Sequence, residues 1–288
     1  MTRLEYPRDE FEVIVVDDGG HVDLQPIIAK HRKQIRLTLL RQANSGCGAA
    51  RNKGTEHASG GWLAFTDDDC APVPEWLRAL DAVATRFPDA LIGGRVANGV
   101  PNNVYSAASQ AISDYFRAHV NRDAERGRFC SGNNFAVPAD SYSKLGGFDT
   151  SFARAAAEDR DFCDRWLSAG LRIISVADAL VLHYRGMSFR DFWRHYFHYG
   201  RGAFVFAQTR LRRNAGPVSF EGWGFHLGLV LAPLRKSLRP RSIYLSLLIV
   251  VEQIAYAIGY AYEARAYQRL FRHSAEGAGE ASPRDAKL

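Results

Sequence analysis

Two short apolar runs in this chain each end in a block of carboxylates, and that placement limits the folds open to it. Val13-Ile14-Val15-Val16 runs into Asp17-Asp18-Gly19-Gly20, and Trp62 to Phe65 runs into Thr66-Asp67-Asp68-Asp69. A β-branched run bounded by turn residues reads as a buried strand. Charged side chains cannot continue inside such a layer, so the acids must sit where the strands emerge. Helical stretches separate the strands: Leu24 to Arg32 lies between Phe11–Val16 and a second strand at Ile35–Leu40, and a helix starting near Ala49 stops at Gly60-Gly61. The alternation predicts an α/β fold with an open, mostly parallel sheet flanked by helices. In such sheets ligands bind beyond the carboxyl ends of the strands.

The pattern continues with a helix over Pro74–Phe87, a strand over Leu91–Val96 and a polar helical stretch from Asn98 to Arg128. Phe129–Val137 returns to strand, interrupted by Ser131-Gly132-Asn133-Asn134, and Glu158-Asp159 opens a helix that lasts to Gly170. Ile173–Val176 and Leu180–Leu182 are short strands ending at His183. Beyond Ser188 aromatic and basic residues interleave, which divides the chain into a main domain over 1–187, a helical tail over 188–272 and a disordered end over 273–288. Ile243 to Tyr262 approaches the roughly 20 residues that span a bilayer. Glu252 in its middle argues as well for a helix lying in the membrane plane or docked on the protein.

Of 288 residues, 47% are hydrophobic and 24% charged, a balance that excludes global disorder. The net charge of +6 favours anionic partners. No recognition motif points to nucleic acid; the aromatic-basic tail points to an anionic membrane surface, at the cytoplasmic face. Cys47, Cys70, Cys130 and Cys163 are far apart and form no C-x-x-C pair, so neither a zinc ribbon nor a disulfide scaffold is indicated and a reducing cytosol fits. The first dozen residues lack the apolar run of a secretory signal.

The chemistry rests on acids, amides and one histidine. Side chains alternate along a strand, so Asp67 and Asp69 face one side and Asp68 the other. That lets one or two carboxylates hold a hard cation, Mg²⁺ or Mn²⁺, while another meets a ribose or base. His183 offers a third ligand through its imidazole, or is a hydrogen-bonded histidine at the core's rim. Glu158 and Asp159 either cap a helix N-terminus or hold an ionised base there. Asp17 and Asp18 either accept hydrogen bonds from a nucleoside or close a turn, and Asn133 and Asn134 either orient a sugar diphosphate or satisfy a loop. Arg51 either meets phosphate or lies on a helix surface.

Taken in order, EVIVVDDGG, NSGCGAARNKG, WLAFTDDDC, SGNNFAV, LGGFD, AEDRDFCDRW and the His183 strand resemble glycosyltransferase family 2, over about Phe11 to His183. The resemblance implies the GT-A fold, a Rossmann-like sheet, with a nucleotide-diphosphate sugar donor, a divalent metal at a D-x-D-like cluster and inversion at the anomeric carbon. It implies Asp69 as metal ligand, with Asp67 and Asp68 on the metal or the donor's ribose and Asp17 or Asp18 on the nucleoside. It implies Asp159 as catalytic base and His183 as a further metal ligand. A glycan or lipid-linked acceptor is the expectation. One departure stands out: relatives begin with a strand that lines the nucleotide base, and that strand is absent here. The expectation is therefore an N-terminally incomplete donor pocket, with a weakly active or noncatalytic binding protein as the alternative.

Overall fold

The computed structural model describes residues 1–152, 156–218 and 221–279, the last ten of these by backbone alone. The chain runs β1 (Glu12–Asp18), α1 (Gln25–His31), β2 (Arg36–Gln42), α2 (Cys47–Thr55), β3 (Trp62–Thr66), β4 (Cys70–Pro72), α3 (Trp76–Arg86), β5 (Leu91–Asn98) and α4 (Val104–Val120). It continues with β6 (Asn134–Pro138), α5 (Ala139–Leu145), α6 (Glu158–Ser168), β7 (Ile173–His183), α7 (Phe189–Arg212), α8 (Trp223–Lys236) and α9 (Pro240–Gly279). The α/β class and the helical tail follow the sequence pattern.

Strand direction departs from a mostly parallel sheet. β1 and β2 pair in parallel as a sheet of their own, and the remaining strands form a second sheet in the order β3-β6-β5-β7-β4. Within it only β5–β7 is parallel; β3–β6, β5–β6 and β4–β7 are antiparallel. None of the antiparallel pairs is joined by a hairpin: β3 and β4, linked through Asp67–Asp69 where the Cys70 amide donates to the Asp67 carbonyl at 3.2 Å, stand at opposite edges of the sheet, and each antiparallel partner comes from a distant part of the chain. β4 was not legible in the sequence because three residues carry no period. The two short strands expected at 173–176 and 180–182 are one, β7, whose register against β5 shifts between Gly94 and Arg95.

Among the described residues no strand joins β1 to β3. Between them lies a cleft of about 1150 Å³, which takes in the length of both strands and the acids that follow them.

The core fills both faces of the larger sheet. On one, Phe65 stacks on Phe135 at 4.6 Å, and Phe148, Phe162 and Trp166 complete an aromatic cluster. On the other, Trp76, Leu80 and Ala84 recur every fourth residue of α3 and pack on Ile92, Ala136 and Val181. Each large apolar side chain so buried contributes about 1.5–3 kcal/mol. That layer is what holds the strand ends in fixed positions.

The tail is packed against this core. Ser188 and Asp191 form a reciprocal capping box at the start of α7. Arg165 and Arg213 each hold Asp161 at 2.7 Å, and Arg210 pairs with Asp164, tying α6 to the far end of α7. α9 lies close along α7. Of the expected disordered end, 280–288 lie outside the described residues, and the backbone of 273–279 is the last part of α9.

Candidate active site

β3 delivers its acids to the mouth of the cleft, and β4 and β7 deliver their partners. β4 pairs antiparallel with β7 so that Cys70 stands opposite His183. The ladder continues one residue further, where the Tyr184 amide donates to the Asp69 carbonyl at 2.7 Å. This register brings His183 Nε2 to 3.0 Å from Asp69 Oδ2. Ligand atoms of Asp69, Cys70 and His183 all lie within 4.8 Å of one another, the one such cluster among the described residues. The imidazole bond, helped by the charge of Arg185, holds the Asp69 carboxyl below its ordinary range despite partial burial.

The cluster fits a divalent cation. Two ligand atoms about 3 Å apart match adjacent corners of an octahedron with bonds of about 2.1 Å. Carboxylate and imidazole suit Mn²⁺, and a thiol close by favours borderline ions over Mg²⁺. Cys70 was missed by sequence reasoning, because only the register of β4 on β7 places it there. Burial, reinforced by the Asp67 and Asp69 charges, pushes its thiol up to about 12.

Arg51 is the second organising group. Its guanidinium donates to Asp67 Oδ1 at 2.8 Å and to Glu158 Oε1 at 3.1 Å, joining the end of β3 to the start of α6. It rests over the Phe148 ring, 5.2 Å from the centroid. Asp67 is thus engaged by Arg51 and lies outside the three-residue cluster. Cys47, exposed at the surface, donates its thiol to Glu158 at 3.0 Å, and local desolvation with the Glu158 charge pushes its pKa up to about 12, which keeps the thiol protonated.

Asp159 follows directly. Its carboxylate accepts the Gly132 amide at 3.1 Å and the Arg160 amide at 2.8 Å. Burial and the adjacent Glu158 charge push its pKa up to about 6, against the pull of those amides and Arg51. A carboxylate so tuned is ionised at neutral pH yet far more basic than an exposed one. Ala157, just before α6, sits at φ 98°, a left-handed conformation that costs a non-glycine residue about 1–3 kcal/mol and aims the first turn of the helix.

The other expected residues divide. Asp17 and Asp18 line the cleft. Asp17 also accepts the Gly20 amide at 2.7 Å and pairs with Arg41, and Asp18 accepts from the Ser45 and Gly46 amides at 2.9 and 2.8 Å, fixing the loop before α2. Asp68 lies on the cleft wall. Asn133 leans on Cys70, with its amide 3.6 Å from the sulfur. Asn134 is a correction. It is fully buried, accepts from Trp76 Nε1 at 2.8 Å and donates to the Arg95 and Ala179 carbonyls at 2.8 Å, which leaves it no donor to offer a ligand. The amide pair straddles the start of a strand, so neighbouring side chains face opposite ways.

The family model described as Glycosyl transferase family 2 matches residues 3–146, half of the chain. The chain belongs to glycosyltransferase family 2. Among curated relatives, glycosyltransferase AglE of Haloferax volcanii is 26% identical over 205 residues, covering 70% of this chain and 66% of the relative. The glucosyl-dolichyl phosphate glucuronosyltransferase of the same organism is 31% identical over 212 residues, with 65% and 66% covered. A chondroitin synthase of Escherichia coli is 27% identical over 208 residues, and this family-2 chain spans 30% of that protein's length. Among solved structures, a Pyrobaculum calidifontis mannosyltransferase in complex with GDP-Man and Mn²⁺ superposes with a TM-score of 0.58 at 18% identity, over 91% of this chain and 81% of that one. That likeness establishes the GT-A fold.

Proposed function

We propose that this protein is a metal-dependent, inverting glycosyltransferase that moves a sugar from a nucleotide-diphosphate donor to the hydroxyl of a glycan or lipid-linked acceptor, at the cytoplasmic face of the cell membrane. The observation that carries the reading is convergence. Carboxylates from the end of β3 and the start of α6, distant in the chain, are tied together through Arg51, and the same β3 segment meets His183 from β7.

In this reading Asp69 and His183 would hold Mg²⁺ or Mn²⁺, with Asp67 or Asp68 on the metal or the ribose; a cation held there would supply positive charge against that developing on the leaving diphosphate. Asp17 and Asp18 face the nucleoside from the cleft wall. Arg51, Glu158 and Asn133 line the path of the diphosphate sugar. Asp159 accepts the acceptor hydroxyl's proton while that oxygen attacks the anomeric carbon from the side opposite the leaving group, which inverts the centre. The transition state of that single displacement is oxocarbenium-like, as in glycoside hydrolysis, and the nucleoside diphosphate departs as the new bond forms.

One feature favours a second reading, a binding protein with little turnover. The cleft extends past the acids between β1 and β3, with Val13, Val15 and Leu63 among its walls, so the nucleoside pocket is open on that side. Calorimetry with GDP and UDP in the presence of Mn²⁺, followed by product analysis with the matching sugar nucleotides, tests both. Binding with sugar release into acceptor or water supports the transferase, binding without turnover supports the second reading, and a folded sample that binds neither nucleotide overturns both.

A further inference from the structure

The longest helix carries two apolar stripes, and only one has protein against it. On α9, Leu248, Ile249, Glu252 and Ala255 are buried, while Ile243, Leu247, Val250, Ile254 and Ile258 stay exposed, Leu247 at 58% and Ile254 at 49%. Steps of three and four residues place those five on one face. At 1.5 Å per residue the row is about 22 Å long. A contiguous apolar row of that length marks an interaction surface rather than scattered exposure.

The flanking charge selects the partner. The turn between α8 and α9 presents Leu238, 78% exposed, among the exposed cations Arg235, Lys236, Arg239 and Arg241. No acid occurs between Glu221 and Glu252. A second copy docking through the same face would bring no counter-charge from this segment to those cations, whereas anionic headgroups would. Within Pro240–Arg269, α9 also holds an 18-residue window with a mean hydropathy of 1.7, long and apolar enough to cross a membrane. Its packing opposes that. A Cβ at Gly259 would overlap the Phe197 carbonyl, one at Gly200 would overlap the Tyr256 carbonyl, and Arg201 holds Glu263 at 2.5 Å. α7 therefore occupies the side that lipid would take around a spanning helix.

We propose that α9 lies in the plane of an anionic bilayer, with the Ile243–Ile258 row at the boundary of acyl chains and headgroups and the α8–α9 cations on lipid phosphates. This rests on the membrane-associated reading of the tail and narrows it to one face and one mode of contact.

Flotation of the full chain with phosphatidylcholine vesicles, with and without phosphatidylglycerol, tests it. Binding should require the anionic lipid and be reversed by salt. L247E/I254E should lose it, and each of R235A, K236A and R239A should weaken it about fivefold. Circular dichroism establishes that L247E/I254E folds; if it does not, the milder L247S/I258S carries the test. Binding by the charged or serine variant equal to that of the unmodified chain overturns the proposal, as does attachment to cell membranes that resists alkaline carbonate, or a dimer in light scattering that these variants dissociate. Binding of Mn²⁺ with nucleoside diphosphate, measured on the same samples, separates the outcomes: its absence would count against the transferase reading while leaving vesicle binding to decide this one.

Discussion

His183 and Asp69 meet at 3.0 Å across 114 residues of chain. The contact is set by the register of β4 on β7, so it is a property of the sheet and not of either residue's neighbours in sequence. In the proposed reading the pair acts as a single unit toward a cation, and each member's loss should be felt in metal affinity before anything else.

H183A and D69N should therefore each weaken Mn²⁺ binding by about 100-fold or more, since even outer partners of metal ligands are worth about 10–100-fold. Calorimetric titration of Mn²⁺ with a nucleoside diphosphate present checks this. Chelation with EDTA should reproduce the effect in the unmodified protein, and Mn²⁺ affinity left intact in both variants would remove the pair from the metal site.

Asp159 sets an expected pH dependence. Its pKa is raised to about 6, and a base works only when deprotonated, so turnover should rise through pH 6 and level off above it. D159N should lower kcat by about 10²–10⁴-fold while leaving donor affinity near its original value. A pH–rate profile of kcat/KM on both proteins decides the matter; a flat acid side argues against Asp159 in that role.

Asn134 should matter to stability and not to donor binding. N134A strands Trp76 Nε1 and the Arg95 and Ala179 carbonyls inside the sheet, at about 1–3 kcal/mol for each buried group left unpaired. Urea denaturation should show the loss. Nucleotide affinity of the folded fraction should not change, and a selective loss of affinity would return Asn134 to the donor site.

Glu252 links the tail to pH. Burial raises its carboxyl from the ordinary 4.5 to about 8, partly opposed by a bond from Gln253. Between those values the native state holds a proton that the unfolded chain has released, so stability falls as pH rises through that window. Its contribution is whole below pH 4.5 and gone once pH passes 8. Thermal melts across that range should show a declining Tm that E252Q abolishes.

The sequence by itself determined where charge could sit. Apolar runs at 13–16 and 62–65 had to be buried, and the acids behind them had to surface at strand ends, which located Asp17, Asp18 and Asp67–Asp69 and set the α/β class. Helix starts at Glu158 and after Ser188 were equally plain, because capping and period are local properties. Only the tertiary structure decided the rest. Strand direction and register depend on which edges meet, and those choices brought Cys70 beside His183, gave Arg51 both Asp67 and Glu158, and sent Asn134 inward. They also put an apolar row of α9 outward beside four cations while its other face closed on α7. A chain's pattern fixes what must be buried, but the partner across a sheet or a helix pair is set by packing between segments that carry no record of one another.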